Sequence, residues 1–346
     1  MRVNFLNNNS NNSNCNSNNY NNYNNSNIIK KNIVNEIYSE GYKIAQYGVY
    51  MKKLKPYKTF KIPVDARCTC PNKDGNIDTK GCIFCPKMGR DIVPPYCNLK
   101  YSLKEQIETQ LKHHKIKGLK KFYIYFYPAT NTYGDLDKLK ELWDFALSYK
   151  DVIGLSLGTR PDCLNGGVLD ILEEYVKQGK EIWIDLGIQT MNQKTLDYLN
   201  RGHTVEDTEN AIKNCKKRNI FVCGHIILGL PNEGWKNMMD TAYILGDLEI
   251  DALKIYPLLV LKNTELEQLY WKGKYRTLDK QQYVKLVCDF LERSSPYTII
   301  QRILKDRAPK NIVISPKWNI GRLPLLNEIS NELKKRGTKQ GFYFNK

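Results

Sequence analysis

From about residue 57 the chain alternates short runs of β-branched and aromatic residues with longer stretches whose apolar positions recur three and four apart. The runs cover residues 60–64, 122–127, 152–159, 181–189, 220–229 and 252–260, and helical stretches fall near 101–115, 135–149, 166–179, 193–218 and 234–247. Six strand-like runs separated by helices predict an α/β fold of parallel strands joined by right-handed crossovers. In such a sheet, closed or open, function gathers at the carboxyl ends of the strands.

Outside this region the pattern changes. Residues 7–27 hold 14 Asn, four Ser, two Tyr and one Cys, so residues 1–27 are expected to form a disordered tail. Residues 28–56 read as a lead-in of helix and loop, 57–262 as the core, and 263–346 as a basic extension with helix-like stretches near 278–293 and 323–336, closing the barrel base or one side of its mouth. With 346 residues, 41% of them apolar, the chain can bury a substantial core, which excludes a wholly disordered, collagenous or disulfide-stapled class. The most apolar stretch, 220–230, is broken by Gly224 and His225, so no membrane span is expected. Met1 to Leu6 lack the apolar core of a secretory signal, so the reducing cytoplasm is the expected compartment. Ten cysteines there point to metal or redox chemistry rather than disulfides. The net charge of +17 favours an anionic partner such as nucleic acid, or a lysine-rich solvated face. The bias strengthens toward the end, with eleven Lys or Arg against three Asp or Glu from Ile300 onward.

The strand ends are chemically unusual: Asn131-Thr132-Tyr133, Thr159-Arg160-Pro161-Asp162, Gln189-Thr190, Gly229-Leu230-Pro231 and Tyr256-Pro257. Turn chemistry alone supplies such residues at any single strand end; five in register favour a ligand site. Just after the first run, Cys70, Cys82 and Cys85 lie in a Gly- and Pro-rich loop, 68–86, with Cys68 two residues upstream. Spacing leaves two readings open: four thiolates around a structural zinc ion, or three holding an iron-sulfur cluster. The position of the loop, opening onto the same mouth as the polar strand ends, favours a catalytic metal.

The ordered strings Cys70-Pro-Asn-Lys-Asp-Gly with Gly81-Cys-Ile-Phe-Cys85, Thr130-Asn-Thr-Tyr133, Leu155-Ser-Leu-Gly-Thr-Arg-Pro-Asp162, Leu186-Gly-Ile-Gln-Thr190 with Arg201-Gly-His-Thr204, His225-Ile-Ile-Leu-Gly-Leu-Pro231 and Leu253-Lys-Ile-Tyr-Pro-Leu258 resemble the radical S-adenosylmethionine (SAM) enzymes. The similarity is greatest to the radical SAM domain of the Elongator catalytic subunit. The resemblance implies a partial (β/α)6 barrel with a small C-terminal extension. It implies that Cys70, Cys82 and Cys85 ligate a [4Fe-4S] cluster whose fourth iron takes SAM, with Cys68 surplus as a packed thiol, a neighbour or an alternative ligand. It further implies reductive cleavage of SAM to a 5′-deoxyadenosyl radical, with the electron delivered by a protein such as ferredoxin or flavodoxin.

By the same resemblance Asn131, Thr132 and Tyr133 lie near the methionyl group, and Thr159, Arg160 and Asp162 end the third strand. Gln189 and Arg201 face the ribose or carboxylate, and Gly229, Leu230 and Tyr256 border the adenine. Each has a bland reading: Arg160 and Asp162 pair with one another, or Gln189 is a satisfied core amide. His203 and His225 are candidates for proton transfer or phosphate binding, and Lys254 either meets an anion or projects outside the barrel. The resemblance also suggests tRNA as substrate, with chemistry at a wobble uridine. It departs from the Elongator subunit in having only about 85 residues after the barrel, too few for an acetyltransferase domain. A porphyrin-oxidase-like small-molecule enzyme and a non-catalytic, zinc-stabilised RNA-binding protein are the competing readings.

Overall fold

A computed structural model of the chain describes residues 17–86, 97, 99–304 and 311–344, with side chains from residue 27 onward. Its nine strands are β1 (Thr59–Val64), β2 (Lys121–Phe126), β3 (Val152–Thr159), β4 (Glu181–Gln189), β5 (Phe221–Leu228), β6 (Ala252–Pro257), β7 (Val260–Leu261), β8 (Ile299–Arg302) and β9 (Val313–Ser315). All but β7 and β9, which pair with each other, form one parallel sheet in the order β1-β2-β3-β4-β5-β6-β8. Because every crossover steps to the adjacent position in the same direction, the sheet curls into a half-barrel. The expected α/β partial barrel is thus the fold adopted, with a seventh strand that the sequence pattern missed. That strand, β8, lies in the segment read as an extension.

Strand parity sorts the two faces. On β4, Ile182, Ile184, Leu186 and Ile188 join the main core on the convex side, leaving Glu181, Trp183, Asp185, Gly187 and Gln189 for the concave side. The convex face is covered by helices α3 (Leu103–Ile116), α4 (Leu136–Leu147), α5 (Gly166–Lys177), α7 (Val205–Lys217), α8 (Trp235–Asp247), α10 (Lys280–Arg293) and α11 (Arg322–Lys335). The stretch expected as one helix over 193–218 is two, α6 (Gln193–Tyr198) and α7. Positive φ at Asn200 and Gly202 breaks it, and Thr204 caps the second half.

The amino end of the barrel is filled from the N-terminal segment. Val34 and Ile37 of α1 (Ser17–Ser39) and Tyr50 and Met51 of α2 (Tyr47–Leu54) pack against Tyr123, Trp183, Cys223, Ala252 and Ile299. The Asn-rich tract expected as a tail is therefore helical from Ser17, continuing backward from the docked half of α1, while residues 1–16 lie outside the described residues. The chain before α2 also pairs with the edge strand β8, Ile300 N–H donating to the Ala45 carbonyl at 2.8 Å. The segment 263–346 reaches both ends of the barrel. At the mouth, α9 (Glu265–Trp271) buries Leu266 beside Ile83. At the base, the fully buried Gln340 amide donates to Ser295 O (2.9 Å) and Thr298 O (2.7 Å) and accepts from Ala45 N–H (3.1 Å).

Replacing that amide leaves the Ala45 N–H and the Thr298 carbonyl without their partner, while Ser295 O keeps the Thr298 N–H at 3.2 Å. Gln340→Ala is expected to lower stability by about 2–3 kcal/mol, read as a fall in the urea midpoint, whereas substituting the exposed Lys334 nearby leaves it unchanged.

Candidate active site

The loop after β1 is pinned to the strand ends. Thr130 N–H donates to Thr69 O at 3.0 Å, Lys73 and Asp74 N–H fold back onto Cys70 O, and Ile77 N–H reaches Pro71 O. The second half is held from two other elements, since Ile83 N–H donates to Leu199 O (3.2 Å) and Leu266 N–H to Ile83 O (2.9 Å). Gly81, at φ +77°, sits under the Lys73 side chain, where a Cβ would stand 2.5 Å from Cε. The ammonium of Lys73 continues to Pro86 O at 2.6 Å.

Cys70, Cys82 and Cys85 face one another closely enough to interact electrostatically. Burial, then Cys82, push the Cys85 thiol up to about 11. None of the described cysteines forms a disulfide. A tetrahedral zinc ion with 2.3 Å bonds would bring its sulfurs to about 3.8 Å from one another. Among the described residues, the four loop sulfurs are not gathered within 4.8 Å of one another as the ligands of a single ion would be. Cys68 instead packs its side chain on the main core.

Around the thiols the buried polar groups are incompletely paired. Arg201 donates from Nη1 to Cys82 Sγ (3.2 Å) and from Nη2 to Gly187 O (2.7 Å), while its Nε has no partner. Asn72 Oδ1 and Arg160 Nη1 are likewise buried without partners, beside Gly202, where a Cβ would meet Asn72 Oδ1 at 2.8 Å and Arg160 Nη2 at 3.3 Å. Two orphaned donors and one orphaned acceptor next to three thiols are what the carboxylate and ammonium of an amino-acid-like cofactor would satisfy.

The other expected contacts divide. Arg160 holds Asp162 through two bonds, Nε to Oδ1 at 3.0 Å and Nη2 to Oδ2 at 2.9 Å, and keeps Nη1 for another acceptor. Asn131 spends its amide nitrogen on Phe126 O, Pro128 O and Gly158 O, which locks the β2 exit to β3. The Thr159 and Thr132 hydroxyls bond to each other at 2.6 Å, and Thr132 donates on to Cys163 O. Tyr133 stands beside Asp74 of the cluster loop. Gln189 ends β4 at φ +70°, a strained position next to Gly187. Gly229 lies under Leu278, and Leu230 is buried with Ile83 and Tyr275, so these two line the wall behind the loop. Tyr256 is half-buried on the concave side, edge-on to His225. His203, almost fully buried, is pulled down to about 2 by burial and then by Arg201 and Arg160.

One layer deeper, five strands contribute to a polar network whose Lys61, Ser156 and Asp185 the motifs did not single out. Asp185, fully buried, accepts from Lys254 and Ser156, from Lys61 Nζ at 3.2 Å and from His225 Nε2 at 3.0 Å. Burial alone would raise the Asp185 carboxyl, but Lys254 and Lys61 hold it well below the usual carboxylate range. Burial, then the Lys254 ammonium, bring His225 down to about 4. Lys254 thus projects into the barrel.

Against known proteins, the Radical SAM superfamily matches residues 77–243 and the Radical_SAM C-terminal domain residues 250–335. An uncharacterised protein of Methanocaldococcus jannaschii is 62% identical over 90% of this chain and 96% of its own. The tRNA uridine(34) acetyltransferase of the same organism is 28% identical over 49% of this chain and 32% of its own. Among solved structures, an N-terminally truncated archaeal Elp3 from Methanocaldococcus infernus superposes with a TM-score of 0.60 at 19% identity, covering 83% of this chain and 65% of that one.

The unfolded chain protonates His225 near pH 6.5, whereas the folded chain refuses the proton until about pH 4. Stability from the neutral imidazole is therefore complete above pH 6.5 and lost as the pH falls toward 4. The urea midpoint is expected to drop across that window, and to drop less in His225→Gln.

Proposed function

The chain belongs to the radical SAM superfamily, and we propose that Cys70, Cys82 and Cys85 hold a [4Fe-4S] cluster with which it cleaves SAM reductively and takes a hydrogen atom from a substrate in the barrel. The observation that carries this reading is the meeting of the Cys70, Cys82 and Cys85 thiols at the strand carboxyl ends, with Cys82 tied to the barrel wall through Arg201. Bound there, the cluster and SAM supply one-electron chemistry that ends in a carbon-centred radical. This chain's residues then have three tasks. Arg201, Arg160 and Asn72 offer partnerless polar atoms to an amino-acid moiety. Gly187 and Gly202 allow close approach, and Ile83, Leu230 and Leu266 exclude water behind the loop. A ferredoxin- or flavodoxin-type protein is the proposed reductant.

The finer reading is tRNA as substrate. What supports it is a surface next to the mouth, on and after α9: Trp271 is 68% exposed, and Lys262, Lys272, Lys274 and Arg276 around it are exposed as well. The exposed indole, whose N–H donates to Glu267 at 3.3 Å, stands in a segment rich in exposed cations and suits base stacking with phosphate contacts. The similarity to the tRNA-modifying relative points the same way.

Anaerobic reconstitution with iron and sulfide is expected to give a brown protein that forms 5′-deoxyadenosine from SAM under reduction. Cys82→Ala should reduce both cluster content and product to background, and Cys68→Ala should keep both. A colourless wild-type protein retaining one zinc overturns the assignment. For the substrate, Trp271→Ala is expected to weaken binding of unmodified tRNA about tenfold, with the steep salt dependence of phosphate contacts; unchanged affinity removes this surface from the reading.

A further inference from the structure

The network around Asp185 has a charge imbalance that nothing in the cluster chemistry uses. Lys61 on β1 and Lys254 on β6 bring two ammonium groups to one carboxylate, and His225 beside them is neutral at pH 7. Burial, with the neighbouring Lys254 charge, lowers the Lys61 amine from its ordinary value, which is the cost of a second positive charge inside the protein and one that an anion beside it would offset.

Asp185, Cys223 and His225 place ligand atoms within 4.8 Å of one another, as a metal site would. A cation is excluded by what already occupies them. Oδ1 of Asp185 receives Lys254 and His225, Oδ2 receives Lys61 and Ser156, and burial pushes the Cys223 thiol up to about 12. The remaining capacity is for donation. Each ammonium has three N–H groups, of which Lys254 gives one to Asp185 and Lys61 gives two, to Asp185 and to Ser156 Oγ at 2.8 Å. The Lys61 and His225 side chains keep 17 and 20% of their surface accessible.

The location fits a ligand that lies under SAM. Gly187 is two residues beyond Asp185 on β4, about 7 Å along the strand, and its carbonyl takes the Arg201 guanidinium that also touches Cys82. Gly158 and Gly187 add no side chain of their own on this face, and the side-chain atoms nearest above them belong to Asn131 and Tyr125 at Gly158 and to Arg201 and Gln189 at Gly187. Resting on the radical SAM reading, we propose that Lys61 and Lys254, positioned by Asp185 and flanked by His225, form the subsite for an oxyanion of the substrate, carboxylate or phosphate, which anchors it beneath the cluster.

The test follows the ring resonances of the four histidines, with His225 assigned through His225→Gln, as sodium acetate or inorganic phosphate is titrated into the reconstituted protein against chloride at constant ionic strength. A saturable shift of the His225 signal is expected, weakened at least fivefold in Lys254→Met and in the more accessible Lys61→Met. The anion giving the tighter curve distinguishes carboxylate from phosphate. No shift with either anion, or the same curve in both lysine variants, overturns the subsite. Formation of 5′-deoxyadenosine by the same wild-type preparation reports separately on the radical SAM reading.

Discussion

The half-barrel is organised around a single buried carboxylate. Its sheet is open, with β1 and β6 five crossovers apart in sequence, yet Lys61 from one and Lys254 from the other meet at Asp185 on a strand between them. Breaking such a contact by removing one partner leaves charge in a medium that solvates it poorly. The curvature that brings the strand ends into one mouth is thus tied to an electrostatic contact across the concave face, as well as to the apolar packing of helices on the convex one. Cation–ring contacts extend the same tie, with Lys254 over Tyr125 and Lys61 over Tyr125 and Trp183.

Above that layer the loop carrying the thiols contains almost no regular structure and depends on borrowed partners. Its first half hangs from Thr130, its second from Leu199 and Leu266, and its side-chain packing from Leu230 and Tyr275. These anchors come from widely separated parts of the chain, which is why the loop acquires its shape only when the barrel and α9 are both in place. The break between α6 and α7 belongs to the same logic. An uninterrupted helix over 193–218 would carry Arg201 along its surface; left-handed residues at 200 and 202 instead turn it inward to Gly187 and Cys82.

Most of the fold was readable because a buried parallel strand and a crossover helix leave different periods in the sequence. Six strands and the cysteine loop after the first follow from that pattern and from the cysteine spacing, and their partial-barrel arrangement from the family resemblance. The seventh strand was missed because 299–302 is only four residues long, and the first half of α1 because a run of asparagines has no helical signature of its own. Asp185, Lys61 and Ser156 were overlooked for a different reason: motif reading stops at strand ends, whereas these lie mid-strand. Their signal was parity. In Glu181-Ile-Trp-Ile-Asp185-Leu-Gly-Ile-Gln189 every second residue is aliphatic and the others are not, which marks one face as something other than core. Tertiary pairing decided the rest: Asn131 and Thr132 stand where the strings put them, but most of their bonding goes to neighbouring backbone, a choice that depends on atoms the sequence does not bring together.

The packing of α1 and α2 beneath the strands has a consequence for the concave face. With the amino end stoppered by α1 and α2, that face is left open at the strand carboxyl ends and along the flank between β1 and β8, and the groups nearest the stopper, Lys61, Asp185 and Lys254, lie deeper than the thiols and Arg201. The N-terminal helices, some 150 residues away in sequence from the strand whose aspartate they lie beneath, thereby set which end of that face is the floor.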